Sequence, residues 1–192
     1  MLKERSNTIK EQQKRVEIGT VKRQDTLENQ AKIVYLGIGS NLGNRKKNIE
    51  IAKSHLSENN LDFLSISSFY ETPSWPDHKK PKFLNIVIKV KFYYDPESLL
   101  KICKKIEVLL GRKKSKKNDP RVCDIDIIDF NKKVLKVKNK LTLPHKLMRK
   151  RNFVLIPFFE IQKEWHHPII KKDLNSLISS LSHADIRSIK QI

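Results

Sequence analysis

Hydrophobic residues first gather at residue 33, where "KIVYLGIGS" forms a short apolar run that gives way to a Gly/Ser/Asn turn. Beyond the turn, Ile49, Ala52 and Leu56 recur at helical spacing, so the segment reads as strand, loop, helix. "LDFLSISSFYETP" and "KFLNIVIKVKF" alternate instead. They predict two half-buried strands joined by a long Pro-, Trp- and Lys-containing connection from Ser74 to Pro81. Asp95-Pro96 makes a good helix start, and "ESLLKICKKIEVLLGR" repeats apolar residues at Leu99, Leu100, Cys103, Ile106, Leu109 and Leu110, with Gly111 as the stop. "VCDIDIIDF" then reads as a short strand. The predicted order β, α, β, β, α, β is that of the ferredoxin-like split βαβ unit, an α+β sandwich.

After this unit, residues 131–143 suggest a hairpin arm, and "RNFVLIPFFEI" and "LNSLISSLS" suggest two additional C-terminal helices, the first interrupted or bent at Pro157. Residues 1–32 are rich in Lys, Glu, Gln and Arg, hold few aliphatic residues and no aromatic ones, and so are expected to form a flexible polar tail. That leaves residues 33–192 as one folded domain. The chain has 192 residues, of which 38% are hydrophobic, enough to bury one core.

Composition narrows the partner more than the fold. Lys and Arg number 40 against 21 Asp and Glu, a formal charge of +19. Such an excess favours an anionic partner, whether nucleic acid, a membrane surface or a phosphorylated small molecule, or it reflects a Lys- and Ile-rich genome. Cys103 and Cys123 are too few for a disulfide framework and lack metal-ligand spacing, and the sequence shows no signal peptide and no apolar stretch of spanning length. A reducing cytoplasm, with no membrane attachment, is the expected setting.

The candidate chemistry centres on "NDPRVCDIDIIDF". In a strand, Asp124 and Asp126 point to one face and Cys123, Ile125 and Ile127 to the other. Two close carboxylates repel unless a cation lies between them, and Mg²⁺ favours such a pair with phosphate oxygens and water completing its shell. Positive charge to hold those phosphates surrounds the strand: Arg112, Lys113, Lys114, Lys116, Lys117 and Arg121 precede it, and His145, Arg149 and Arg151 follow. "GIGSNLGNR" reads either as a phosphate-cradling loop or as a glycine turn capping the next helix; it lacks the P-loop lysine and the full dinucleotide spacing. "FYETPSWP" and "KFLN" place aromatic and amide groups on paired strands, which suits a flat heterocycle or ordinary packing of Phe69, Phe83 and Trp75.

Taken in order and with matching spacing, "GIGSNLGNR", "SSFYETP", "FLN", "IEVLLGR", "DPRVCDIDIIDF" and "LTLPHKLMRKRNFVLIPFFEI" resemble the 6-hydroxymethyl-7,8-dihydropterin pyrophosphokinases of folate biosynthesis. The resemblance spans residues 33 to about 168 and implies a ferredoxin-like fold. It implies transfer of pyrophosphate from ATP to the hydroxymethyl group of the pterin, with release of AMP. Two Mg²⁺ ions on Asp124 and Asp126 would bridge the triphosphate, with Arg112 and Arg121 assisting transfer. ATP would meet Arg121, Ile127, Lys140, Thr142, His145 and Arg151; the pterin would meet Thr72, Pro73, Phe83, Asn85 and Phe153. A cytoplasmic monomer is expected, with ATP and the pterin as partners and no nucleic acid.

Five positions depart from the family pattern. Phe83 stands where tyrosine is frequent, and Asn118-Asp119 where the mobile loop usually reads tryptophan-glycine, so an indole lid is missing. Lys140 and Lys146 replace other nucleotide-contacting residues. Two rival readings stay open: an RNA-binding module, which shares the β-α-β-β-α-β order but would need an aromatic Gly-Phe-Gly-Phe type strand absent here, and a family member retained for binding or scaffolding.

Overall fold

The computed structural model describes residues 30–74, 77–112, 119–138 and 140–192. The polar tail up to residue 29, Trp75 and the lysine-rich residues 113–118, Asn118 among them, lie outside these. Along the chain run β1 (Lys32–Ser40), α1 (Arg45–Glu58), β2 (Asp62–Ile66), β3 (Tyr70–Thr72), β4 (Phe83–Phe92), α2 (Pro96–Leu109) and β5 (Asp124–Phe130). There follow the β6 (Leu135–Val137) and β7 (Leu141–Leu143) arm, α3 (Asn152–Ile161), α4 (Leu174–Ser179), α5 (His183–Ser188) and β8 (Lys190–Gln191).

β1 is central, antiparallel to β4 on one side and β5 on the other. β3 follows β4, β8 follows β3, and β2 pairs with the far end of β4. This order, with α1 and α2 packed on one face, is the expected ferredoxin-like α+β arrangement. Its helices are set by local chemistry. Asn44 caps α1 by accepting from the Lys47 N–H at 3.0 Å, and Asp95 caps α2 by accepting from Glu97 and Ser98 N–H at 2.8 and 3.0 Å, with Pro96 in the first turn.

Alternation along β1 divides the molecule into two cores. Val34, Leu36 and Ile38 join Ile49, Ala52 and Leu56 of α1 and Leu99, Cys103 and Ile106 of α2 in the larger cluster. Tyr35 faces the other way, with Val87, Ile128, Val154, Leu155, Phe158 and Trp165, under α3 and α4. The register slips between Tyr35 and Leu36: Tyr35 pairs with Asp129 but Leu36 with Ile127, so Ile128 is the extra residue of a bulge.

Three sequence expectations need correction. The alternating run 62–72 is two strands, not one, because Ser67 interrupts it: its N–H donates to Val87 O and its Oγ accepts from Val87 N, both at 2.9 Å. The hydroxyl takes the acceptor place of a strand carbonyl and turns the chain. α3 runs through Pro157 without interruption. Proline cannot donate to the Phe153 carbonyl, yet Val154, Leu155 and Phe158 are buried around it, and that packing holds the helix together. On α2, Leu109 is 61% exposed, while Glu107, one turn beyond Cys103, is buried on the inner face. Among the described residues, no helix is long and apolar enough to cross a membrane.

Candidate active site

The second face of the sheet is left open where β1 offers no side chains. Tyr35 fills its share of that face, but the next two positions of the same alternation are Gly37 and Gly39. Gly39 pairs with Asp124 on β5 and with Asn85 on β4; Gly37 pairs with Asp126 and Val87. A Cβ at Gly39 would stand 2.8 Å from Asn85 Oδ1, so glycine here lets the amide lie over the strand. In "GIGSNLGNR", Gly43, with φ +61°, and Asn44 form the turn that caps α1, whereas Gly37 and Gly39 lie in the strand before it.

A cleft open to solvent stands on this glycine floor. Nine sequence-predicted residues line it: Thr72, Pro73, Phe83, Asn85, Arg121, Asp124, Asp126, Arg151 and Phe153. The acidic end sits on β5 and the amide end on β4, two strand spacings apart, roughly 10 Å. A flat ring at one end can therefore address a phosphate chain at the other.

At the acidic end every carboxylate is met by arginine. Asp124 accepts from Arg112 Nη1 at 2.7 Å through Oδ1 and from Arg121 Nη1 at 3.1 Å through Oδ2. Asp126 accepts from Arg151 Nη1 at 2.7 Å, and His145 Nε2 stands 3.9 Å away. Burial works against the Asp126 charge, but His145 and Arg151 outweigh it and hold the carboxyl below its ordinary value. Burial also depresses His145, against the pull of Asp126. Its Nδ1 accepts from Leu147 N–H at 3.3 Å, which leaves the proton on Nε2, facing Asp126.

These groups suit a hard divalent cation. The two carboxylates share one strand face, and among the described residues no group of three or more His, Cys, Asp or Glu forms a metal cage. Mg²⁺ is held in that way, by one or two carboxylates with phosphate and water supplying the rest. Arg151 Nε is buried without a partner, a gap that an anion would fill. Both cysteines are buried and burial pushes each thiol up to about 12, so neither offers a thiolate.

At the amide end, Asn85 is 5% exposed and donates through Nδ2 to Thr72 Oγ1 at 3.1 Å. That bond fixes the amide's orientation. Phe83 and Phe153 flank it, and the Arg151 guanidinium lies over the Phe153 ring at 5.4 Å from its centroid. Asn152, between them, donates to Asp185 O at 2.6 Å and Ser188 Oγ at 3.0 Å, so α5 anchors the start of α3 at the cleft.

The remaining predicted residues lie outside the lining. Arg112 reaches the site through Asp124, and His145 through Asp126. Ile127 has its side chain in the larger core, which leaves only main-chain atoms to meet a ligand. Lys140 is exposed at the turn of the β6–β7 arm and Thr142 is half-buried on β7. Sequence reasoning missed Glu107. Its Oε1 accepts from Ile125 N–H at 2.8 Å, between the two aspartates, and its Oε2 stands 2.6 Å from Arg112 Nη1. Burial opposes the Arg112 charge, but Asp124 and Glu107 raise its pKa. The signal was present: an acid placed four residues after Cys103 on an apolar stripe.

With this geometry in hand, comparison with known proteins is specific. Residues 35–163 match the family described as 7,8-dihydro-6-hydroxymethylpterin-pyrophosphokinase (HPPK). A 2-amino-4-hydroxy-6-hydroxymethyldihydropteridine pyrophosphokinase of Aquifex aeolicus is 40% identical over 141 residues, covering 73% of this chain and 87% of that relative. The protein of the same name in Methylorubrum extorquens is 36% identical over 128 residues, 66% of this chain and 80% of its own length. Among solved structures, a Plasmodium falciparum HPPK-DHPS superposes with a TM-score of 0.65 at 19% identity, over 85% of this chain and 48% of the other. The chain thus spans about half of that larger protein, and this last likeness concerns the fold.

Proposed function

The chain belongs to the 7,8-dihydro-6-hydroxymethylpterin-pyrophosphokinase family, and from that premise we propose that the glycine-floored cleft is where it does its chemistry. The reaction is transfer of pyrophosphate from ATP to the hydroxymethyl group of 6-hydroxymethyl-7,8-dihydropterin, with release of AMP, in folate biosynthesis. ATP is the co-substrate. The observation that carries the placement is the single cross-strand row Asp124, Gly39, Asn85, which sets a carboxylate and an amide on either side of a residue with no side chain.

In this reading the pterin lies between Phe83 and Phe153, beside Thr72 and Pro73, with Asn85 hydrogen-bonding its edge. The triphosphate extends over Gly39 and Gly37 toward β5. Arg121 and Arg151 hold its oxygens, and the nucleotide runs on toward His145, Ile127 and the Lys140–Thr142 arm. Asp124 and Asp126 are the residues that would hold the two Mg²⁺ ions, and the ions would supply charge neutralisation for the transferring phosphates. Arg112 and Arg121 neutralise Asp124, and with that carboxylate occupied by a cation their guanidinium groups would be free to serve the phosphates, where charge develops during transfer. The hydroxymethyl oxygen, held near the acidic end by the fixed pterin, is aimed at the β-phosphorus in line with the departing AMP.

The enzyme acts as a cytoplasmic monomer, with residues 1–32 outside the catalytic domain 33–192. An RNA-binding role gains no support from a sheet face that carries two carboxylates and two glycines. The test is incubation with ATP, Mg²⁺ and 6-hydroxymethyl-7,8-dihydropterin. AMP should form only when the pterin is present; AMP formed without pterin, or none at all, refutes the assignment.

A further inference from the structure

Asp119 belongs to no part of the machinery above, yet it touches two segments that flank the cleft. Its Oδ1 lies 3.1 Å from Lys80 Nζ, in the connection between β3 and β4, and the two side chains are 34% and 27% exposed. Its carbonyl accepts from Arg121 Nε at 3.3 Å, and Arg121 Nη1 in turn reaches Asp124. At the next residue of the first segment, Pro81, and at Arg121 of the second, another tie runs parallel to the first. Buried Asn41 donates through Nδ2 to Pro81 O at 3.1 Å and accepts through Oδ1 from Arg121 N–H at 2.7 Å. Asn41 N–H also donates to Arg121 O at 3.2 Å.

We propose that Asp119 is a positioning residue, coupling Lys80 on the pterin side of the cleft to Arg121 on the phosphate side. The inference rests on the reading of the site given above. Lys80 and Pro81 lead directly into Phe83 and Asn85, so the chain that forms the pterin wall carries the ion pair. Arg121 is held at three places: its backbone by Asn41, its Nε by the Asp119 carbonyl, and its Nη1 by Asp124. When a cation claims Asp124 the third hold is lost. The guanidinium must then be aimed by the other two, and the Asp119 backbone stays where the Lys80 pair keeps it. The ion pair therefore acts on the orientation of Arg121, and so on turnover, rather than on nucleotide affinity.

A half-exposed ion pair sets the scale. Asp119→Ala and Lys80→Ala should each lower kcat by about two- to fivefold with KM for ATP unchanged. The double variant should cost no more than either single one, because both remove the same contact. Asp119→Lys should be worse than Asp119→Ala, and adding Lys80→Asp should restore most of the loss. A readout independent of turnover is the Arg121 Nε–H resonance in an NMR spectrum of the ligand-free protein, which should shift in Lys80→Ala through the Asp119 carbonyl that this N–H meets. Unchanged kcat in the single variants, multiplicative losses in the double one, or an unmoved Arg121 resonance would overturn the proposal. A wild-type protein that made no AMP would instead refute the catalytic reading, and the resonance would still decide this one.

Discussion

Gly39 and Asn85 face each other across β1 and β4 so closely that a single methyl at Gly39 would come within 2.8 Å of the Asn85 Oδ1. Gly39→Ala should therefore swing the amide away from Thr72 and the pterin edge while leaving the strand itself intact. The expected result is a KM for the pterin raised about tenfold, the equivalent of one good hydrogen bond, with little change in KM for ATP. Steady-state kinetics with each substrate varied in turn would check it, and equal effects on both would count against the placement.

Asp124→Asn and Asp126→Asn keep shape and remove charge. Each should lower turnover by about a thousandfold with far-ultraviolet circular dichroism unchanged, and chelation of divalent cations should silence the wild-type protein in the same way. Because His145 and Arg151 hold the Asp126 carboxyl below its ordinary value, it is ionised throughout the neutral range and needs no high pH to bind a cation.

Arg121→Ala should mainly reduce kcat, by about a hundredfold, as expected of a guanidinium at the acidic end that serves the phosphates during transfer. Arg112→Ala should act in the same direction and also cost stability, because it leaves the buried Glu107 carboxylate with one fewer cation. Thermal melts beside the kinetics separate the two: a loss of stability confined to Arg112→Ala is the expected pattern.

The pH dependence of stability has two opposing sources. His145 and Asp126 have depressed folded pKa values, so the stability they contribute is present above their unfolded values, near 6.5 and 3.8, and is lost on acidification through their lower folded ones. Asp129 is opposite in sign. Burial raises its pKa, against the opposing pull of the Lys132 N–H, which donates to Oδ2 at 3.1 Å, and of the Trp165 indole beside the carboxyl. A raised carboxyl contributes stability below about pH 3.8 that is lost as pH rises through its folded value. Asp129→Asn should therefore stabilise the protein at pH 7 by on the order of 1 kcal/mol, about 2–4 °C in Tm, and the gain should vanish toward pH 4. Melts of both proteins across that range would show it, and a variant less stable at pH 7 would refute it.

Much of the fold was legible because its signals are local and periodic. The β1–α1 unit, the α2 helix with its Asp95 cap and the β6–β7 arm follow from spacing and turn chemistry that need no distant partner. What escaped depended on one. Ser67 breaks its strand through a bond to Val87, twenty positions on, and nothing in "LSISSFY" distinguishes that serine from its neighbours. Pro157 suggested a break that the packing of Phe158 and Leu155 prevents.

The sequence by itself determined that Asp124 and Asp126 share a face, because alternation in a strand leaves no other choice, and that arginines crowd the same neighbourhood. Only the tertiary structure decided which arginine meets which carboxylate, that Glu107 supports both Arg112 and the strand between the aspartates, and that a bare stretch of β1 separates Asp124 from Asn85. The reason is physical: face and period are properties of neighbours in the chain, whereas partners from separate segments are set by the register of antiparallel pairing and by which side chains compete for the space between strands.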